Sequence, residues 1–157
     1  KKKILMIILG KGPLQNFIKN LSIKYKDLIE FHNYIHYDIM PLYYSACDVV
    51  ISPLLSISFV KDNIPTKLLE GMAMEKIILG SDVPGIKGII THNKNGIIFK
   101  SESKVDLIKK IYYIVENFEN LNDLRKQARK LMIEKYSWIK MRFLLQKVYD
   151  YVTSCVN

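Results

Sequence analysis

This sequence predicts an α/β fold: a doubly wound, mostly parallel sheet of about five strands flanked by helices, with further helices at the C-terminal end. Three observations carry that prediction. Apolar runs of strand length recur along the chain, most of them closed by glycine, proline or a small polar residue. Segments with helical spacing of apolar residues separate those runs, the pattern of parallel βαβ units. No internal repeat, linker or low-complexity stretch interrupts the alternation.

The elements follow in order. Ile4–Leu9 is a continuous apolar run ended by Gly10, the mark of a strand buried on both faces. Pro13 is expected at or near the first turn of a helix running to about Lys26, with Leu14, Phe17, Ile18 and Leu21 on one face. Leu28–His32 is a short strand. Asp38 is the expected cap of a helix through Cys47, with Pro41 in its first turn. Val49–Ser52, Ile77–Gly80 and Ile97–Phe99 are the remaining strands, and Pro65 opens a helix carrying Glu70 and Met72. Ser103-Lys104-Val105-Asp106 reads as a capping-box variant before a helix to about Phe118. Two helices close the chain, about Leu121–Lys135 and Ser137–Val152. Ser137 is the expected N-cap of the last, and Trp138 the expected core anchor of both.

Composition narrows the function classes. A chain of 157 residues suits one domain, and a domain of that size buries about 68–70% of its unfolded surface. No apolar stretch reaches the roughly 18–20 residues that span a bilayer. Lys1-Lys2-Lys3 precedes too short an apolar run for a signal peptide. Cys47 and Cys155 are far apart and read as reduced, packed thiols in a cytoplasmic protein. His32, His36 and His92 form no zinc-like pattern, so no metal site is expected. The 24 basic residues exceed the 15 acidic ones by nine, which favours anionic partners. No nucleic-acid-binding signature stands out, so that charge points to phosphorylated ligands or a membrane surface, or only to lysine-rich solubility.

Ligands of doubly wound sheets bind outside the carboxyl ends of the strands. Gly10–Pro13, Asn33–Tyr37, Pro53–Thr66 and Ser81–Gly88 all fall there. The third of these holds the most informative pattern in the chain. Asp62 and Glu70 are separated by seven residues, Asn63-Ile64-Pro65-Thr66-Lys67-Leu68-Leu69, just before the small-residue segment Gly71-Met72-Ala73. Two carboxylates so placed can hold hydroxyl groups, and a carboxylate offers up to four acceptor sites to a vicinal diol. The amides of the loop and helix start between them can hold a phosphate. Lys61-Asp62-Asn63 also has ordinary turn composition. Gly10-Lys11-Gly12-Pro13 lacks the spacing of a P-loop and of a full dinucleotide fingerprint.

This stretch resembles the donor-binding loop of the glycosyl transferases group 1 family, retaining enzymes with two Rossmann-like domains (the GT-B fold). Glu70 matches the family's second acid, and Asp62 stands where the first is a glutamate. Gly10-Lys11-Gly12-Pro13 resembles the family's Gly-x-Gly-Pro turn. Leu42-Tyr43-Tyr44-Ser45-Ala46-Cys47-Asp48 is similar to the helix and strand before the loop. Asn95-Gly96-Ile97-Ile98-Phe99 is similar to its last strand; Leu124–Arg129 and Tyr136-Ser137-Trp138 are similar to its closing helices.

The resemblance implies that residues 1–157 are a C-terminal nucleotide-sugar-binding domain, half of a GT-B architecture. It implies that the first βα unit and the acceptor-binding domain are absent, with activity belonging to the full-length protein and modest stability in isolation. It implies that Glu70 accepts hydrogen bonds from ribose hydroxyls and that Asp62 contacts the donor sugar. Asn63, Pro65, Thr66 and Lys67 would hold the diphosphate. Gly10, Gly12, Asn33 and Tyr34 would approach the nucleotide, and Gly85 matches a family glycine; Gly88 stands about where an acid is common. The donor would be a UDP-, GDP- or ADP-sugar, used without a metal or other cofactor. The acceptor would be a polysaccharide, oligosaccharide or lipid-linked glycan reached at a membrane surface. The competing reading is a non-catalytic module that senses sugar nucleotides or docks on membranes or partners.

Overall fold

Among the described residues, five strands alternate with helices in the order the sequence predicts, hydrogen-bonded as two parallel sheets of two and three strands. The computed structural model describes residues 3–57 and 60–156. Lys1, Lys2, Ser58, Phe59 and Asn157 lie outside the described residues. Two units are distinguished, Lys1–Tyr43 and Tyr44–Asn157.

In the first unit, β1 (Met6–Leu9) pairs in parallel with β2 (Ile29–His32), in the register Met6 to Ile29. Helix α1 (Gln15–Lys24) connects them. Pro13 lies near the start of this helix, as expected, in a turn where the Gln15 amide donates to the Gly12 carbonyl (3.0 Å). No residue of β1, α1 or β2 is buried. The expectation of a strand buried on both faces is therefore corrected. One strand pair and one helix supply a single covering layer, and Ile4, Leu5, Leu14 and Phe17 remain exposed.

A 3-10 turn (Tyr37–Ile39) leads into α2 (Met40–Ala46), which spans the boundary between units. His36, not Asp38, caps that turn: its Nδ1 accepts from the Asp38 amide at 3.4 Å.

The second unit is a three-layer sandwich. Strands β3 (Val49–Ser52), β4 (Ile77–Ser81) and β5 (Ile97–Phe99) form a parallel sheet in that order. Every residue of β4 is buried, as a central parallel strand requires. Side chains alternate across it. Ile78 joins Val50, Leu68, Met72, Ile86 and Ala128 on one face, under α3 (Thr66–Ala73), α4 (Pro84–Lys87) and α6 (Asn122–Leu131). Ile77 and Leu79 join Ile97, Phe99, Ile114 and Leu121 on the other, under α5 (Lys104–Glu116) and a 3-10 turn (Phe118–Leu121). A Cβ on Gly71 would lie 2.9 Å from side-chain carbons of both Ile78 and Val50, so this glycine lets α3 sit close on the sheet.

Ser103 caps α5 by accepting from the Asp106 amide (3.2 Å), while Asp106 accepts from the Lys100 amide (2.7 Å) instead of closing a reciprocal box. After α6 the chain winds through a π-helical turn (Met132–Tyr136) into α7 (Trp138–Val156), with Ser137 Oγ accepting from the Lys140 amide at 3.4 Å. Trp138 is 87% exposed, which corrects its reading as a core anchor. Cys155 on the same helix is exposed, and only Cys47 is partly packed. Burial raises the Cys47 thiol pKa, an effect that Lys76 partly offsets.

Candidate functional site

The sequence-predicted site residues gather in two places, one in each unit. In the first unit, the turn after β1 and the segment after β2 line one open cleft of about 410 Å³, with Gly10, Lys11, Asn33 and Tyr34 among its walls. Gly10 has φ +137°, which side chains rarely adopt, and this lets the strand turn sharply away from the sheet edge. Lys11 Nζ lies 5.2 Å from the centroid of the Tyr34 ring, a cation–π distance. Gly12 has open space where a Cβ would stand, so only its place in the turn recommends it.

In the second unit the sheet delivers the chain from β3 into the long loop that ends at α3. Asp62, Asn63 and Ile64 are exposed at its tip. The loop is seated from below by α4: the Gly85 amide donates to the Lys61 carbonyl at 2.8 Å. A Cβ on Gly85 would fall 2.2 Å from the Asn63 carbonyl oxygen. Gly85 thus acts on the loop backbone, a role that sequence reading missed. Its match to a family glycine and the Pro84-Gly85 pair shortly after β4 mark the position without specifying that role.

Pro65 stands at the N-cap of α3 with extended backbone and no side-chain acceptor for the first-turn amides. The Leu68 amide donates to the Pro65 carbonyl (2.9 Å), and with no side-chain cap in the way the helix start and its dipole face an anion from outside. Leu68, Gly71 and Met72 face the core, which turns Thr66, Lys67 and Glu70 to the other side. Desolvation lowers the pKa of the Lys67 ammonium. An anion beside it would favour the charged form and reverse that shift.

Glu70 sits one turn into α3 and is half-buried. Tyr44, near the end of α2, donates its hydroxyl to Glu70 Oε2 at 2.6 Å. The other site candidates of this unit, Asp62 and Asn63, belong to the loop that Gly85 seats. On the far side, Asp82 accepts from the Ser101 amide (2.7 Å) and Ser101 Oγ donates to the Leu54 carbonyl (3.0 Å), tying the loops after β3, β4 and β5 together.

A phosphate-ready helix start, a carboxylate one turn beyond it and a glycine-seated loop at the carboxyl edge of a parallel sheet suit a nucleotide carrying free hydroxyls. The family model for glycosyl transferases group 1 matches residues 1–131. The chain belongs to that family. It is 25% identical over 155 residues to an uncharacterised glycosyltransferase of Methanocaldococcus jannaschii, covering 96% of this chain and 38% of that protein. It is 29% identical over 136 residues to a chitobiosyldiphosphodolichol beta-mannosyltransferase of Debaryomyces hansenii, covering 81% of this chain and 28% of that one. The chain thus spans well under half the length of these curated relatives.

Among solved structures, a glycosyltransferase from Rickettsia africae superposes with TM-score 0.79 at 19% identity, over 97% of this chain and 41% of that one. HepE of Anabaena in complex with UDP superposes with TM-score 0.76 at 17% identity, over 96% and 41%. The fold is that of GT-B glycosyltransferases, Rossmann-like and mostly parallel, as the motifs imply.

Proposed function

We propose that this glycosyltransferase chain is the donor-binding domain of a retaining hexosyltransferase. The whole protein would move a hexose from a UDP-, GDP- or ADP-sugar to a polysaccharide, oligosaccharide or lipid-linked acceptor. The observation that carries the reading is Glu70, held one turn beyond the α3 start and directed away from the core beside a loop at the sheet's carboxyl edge. The use of a nucleotide donor draws support from the UDP bound by the structurally similar HepE, and hexosyl transfer, though not its stereochemistry, from the mannosyl transfer named for the Debaryomyces relative.

In this reading Glu70 accepts hydrogen bonds from the ribose diol. The amides from Asn63 to Lys67, the Thr66 hydroxyl and the Lys67 ammonium take the diphosphate. Asp62 contacts hydroxyls of the donor sugar. As the glycosidic bond to the diphosphate breaks, negative charge grows on the leaving oxygen. Preorganised amides and the lysine stabilise that charge without a metal ion. The leaving diphosphate is placed to take the acceptor's proton on the same face of the sugar, which retains the anomeric configuration. Acceptor binding lies outside this domain, so the isolated chain binds donor without turning it over. The net charge of +9 suits peripheral contact with an anionic membrane from the cytoplasmic side. No helix among the described residues is long and apolar enough to cross a membrane.

Calorimetric titration with uridine, guanosine and adenosine diphosphates tests the reading. One of them binds, and Glu70→Ala weakens it by about tenfold or more, the loss expected for charge-assisted hydrogen bonds. Unchanged affinity in a folded Glu70→Ala protein would refute the assignment. Asp62 in place of a glutamate supports a second reading, a sugar-nucleotide sensor. Binding without transfer by the full-length protein would select it.

A further inference from the structure

Tyr44 plays no part in the donor site as drawn above, yet it makes the closest side-chain contact to that site's central carboxylate. Its hydroxyl lies 2.6 Å from Glu70 Oε2, within the range of a charge-assisted O–H···O⁻ bond. Its ring is partly buried against the core formed by Val50, Leu68, Met72 and Ile78. The hydroxyl is therefore placed by core packing and by a stiff ring, not by a flexible stem. Glu70 is the opposite case: a long side chain on the outer face of α3, which alone would sample several rotamers.

The geometry points to Tyr44 as a positioning residue for Glu70. By bonding Oε2, it fixes the carboxylate plane and leaves the lone pairs of Oε1 for the hydroxyls of a ribose. A fixed acceptor loses less freedom on binding than a mobile one, so preorganisation translates into affinity. The effect is specific to the ligand's diol, because the diphosphate and base are held by other groups. This inference rests on the proposed donor site.

Tyr44→Phe keeps the ring and its packing and removes only the donor. Wild type, Tyr44→Phe and Glu70→Ala are titrated with the three ribonucleoside diphosphates and with their 2′,3′-dideoxy counterparts, circular dichroism confirming that each is folded. Tyr44→Phe is expected to lose about fivefold to tenfold in affinity for the ribonucleotide and nothing for the dideoxy form, a net hydrogen-bond effect. Equal loss for both ligands marks a merely structural role and overturns the inference, as does no loss for either. Should Glu70→Ala lose affinity while Tyr44→Phe keeps it, the Tyr44 role alone falls. If wild type binds no ribonucleotide, the donor site falls and the Tyr44 role with it.

Discussion

At the scale of single residues, Gly85 separates close backbone approach from mere smallness. Its missing Cβ is replaced in space by the carbonyl of Asn63, and backbone on both sides leaves no flexible atom to yield. Gly85→Ala must push the Lys61–Asn63 segment outward and break the 2.8 Å bond from the Gly85 amide to the Lys61 carbonyl. Overpacking of this kind costs about 1–3 kcal/mol. The expected result is a lower melting temperature together with weaker nucleoside diphosphate binding, since the displaced loop carries Asp62 and Asn63. Gly88, three residues on, is the control: a Cβ there would meet its nearest atoms at 3.5 Å, ordinary contact. Gly88→Ala should leave both measurements nearly unchanged. Equal effects of the two substitutions would mean that loop seating is not what Gly85 does.

At the scale of elements, the turn into β5 depends on a histidine in its neutral form. The Ile98 amide donates to His92 Nδ1 at 2.9 Å, and a protonated Nδ1 has no lone pair to accept. Desolvation and then Lys110 push the His92 pKa below 6.5, with Asp106 opposing. The folded chain thus resists a proton that the unfolded chain accepts. Stability is fully present above 6.5 and falls as pH drops from there toward the lowered folded value. His92→Gln should flatten the melting temperature against pH in that window, and an unaltered profile would remove His92 as the cause. Local patterns of this kind also mark how far the sequence was legible. β3 and β5 are legible with their bounds, because a few consecutive apolar residues specify a strand. The partner of a strand is not local information, so the pairing of β1 with β2, and of β4 with β3 and β5, is not legible in the same way. Helix α4 has four residues, too few to show a period, so its sequence reads as loop. In the site, the convergence of Gly10 with Asn33 and Tyr34 followed from the rule that ligands meet strand ends. The Tyr44–Glu70 pair joins residues 26 apart through one hydroxyl, and no spacing in the sequence announces it.

At the scale of the whole molecule, burial is distributed unevenly, and this sets an order of stability. Every buried apolar side chain among the described residues lies between Val50 and Met132. The unit Lys1–Tyr43 has none, and α7 presents Trp138, Phe143, Leu144, Leu145 and Val148 to solvent. Hydrogen bonds without a desolvated layer open locally at low cost, whereas a strand buried throughout opens only with its whole unit. Hydrogen exchange should therefore find the amides of β4, Ile77–Ser81, protected to the level of global unfolding. Those of β1, β2 and α7 should exchange faster by orders of magnitude, despite regular hydrogen bonding. The single tryptophan gives an independent check. Because Trp138 is already in water, its emission should be red-shifted in the native protein and change little on unfolding in urea, while far-ultraviolet dichroism follows the melting of the sandwich. A blue native emission, or β1 amides as slow as those of β4, would mean that apolar surface exposed on this chain is covered in solution. The residues exposed on α7 and β1 would then be the place to look for what covers it.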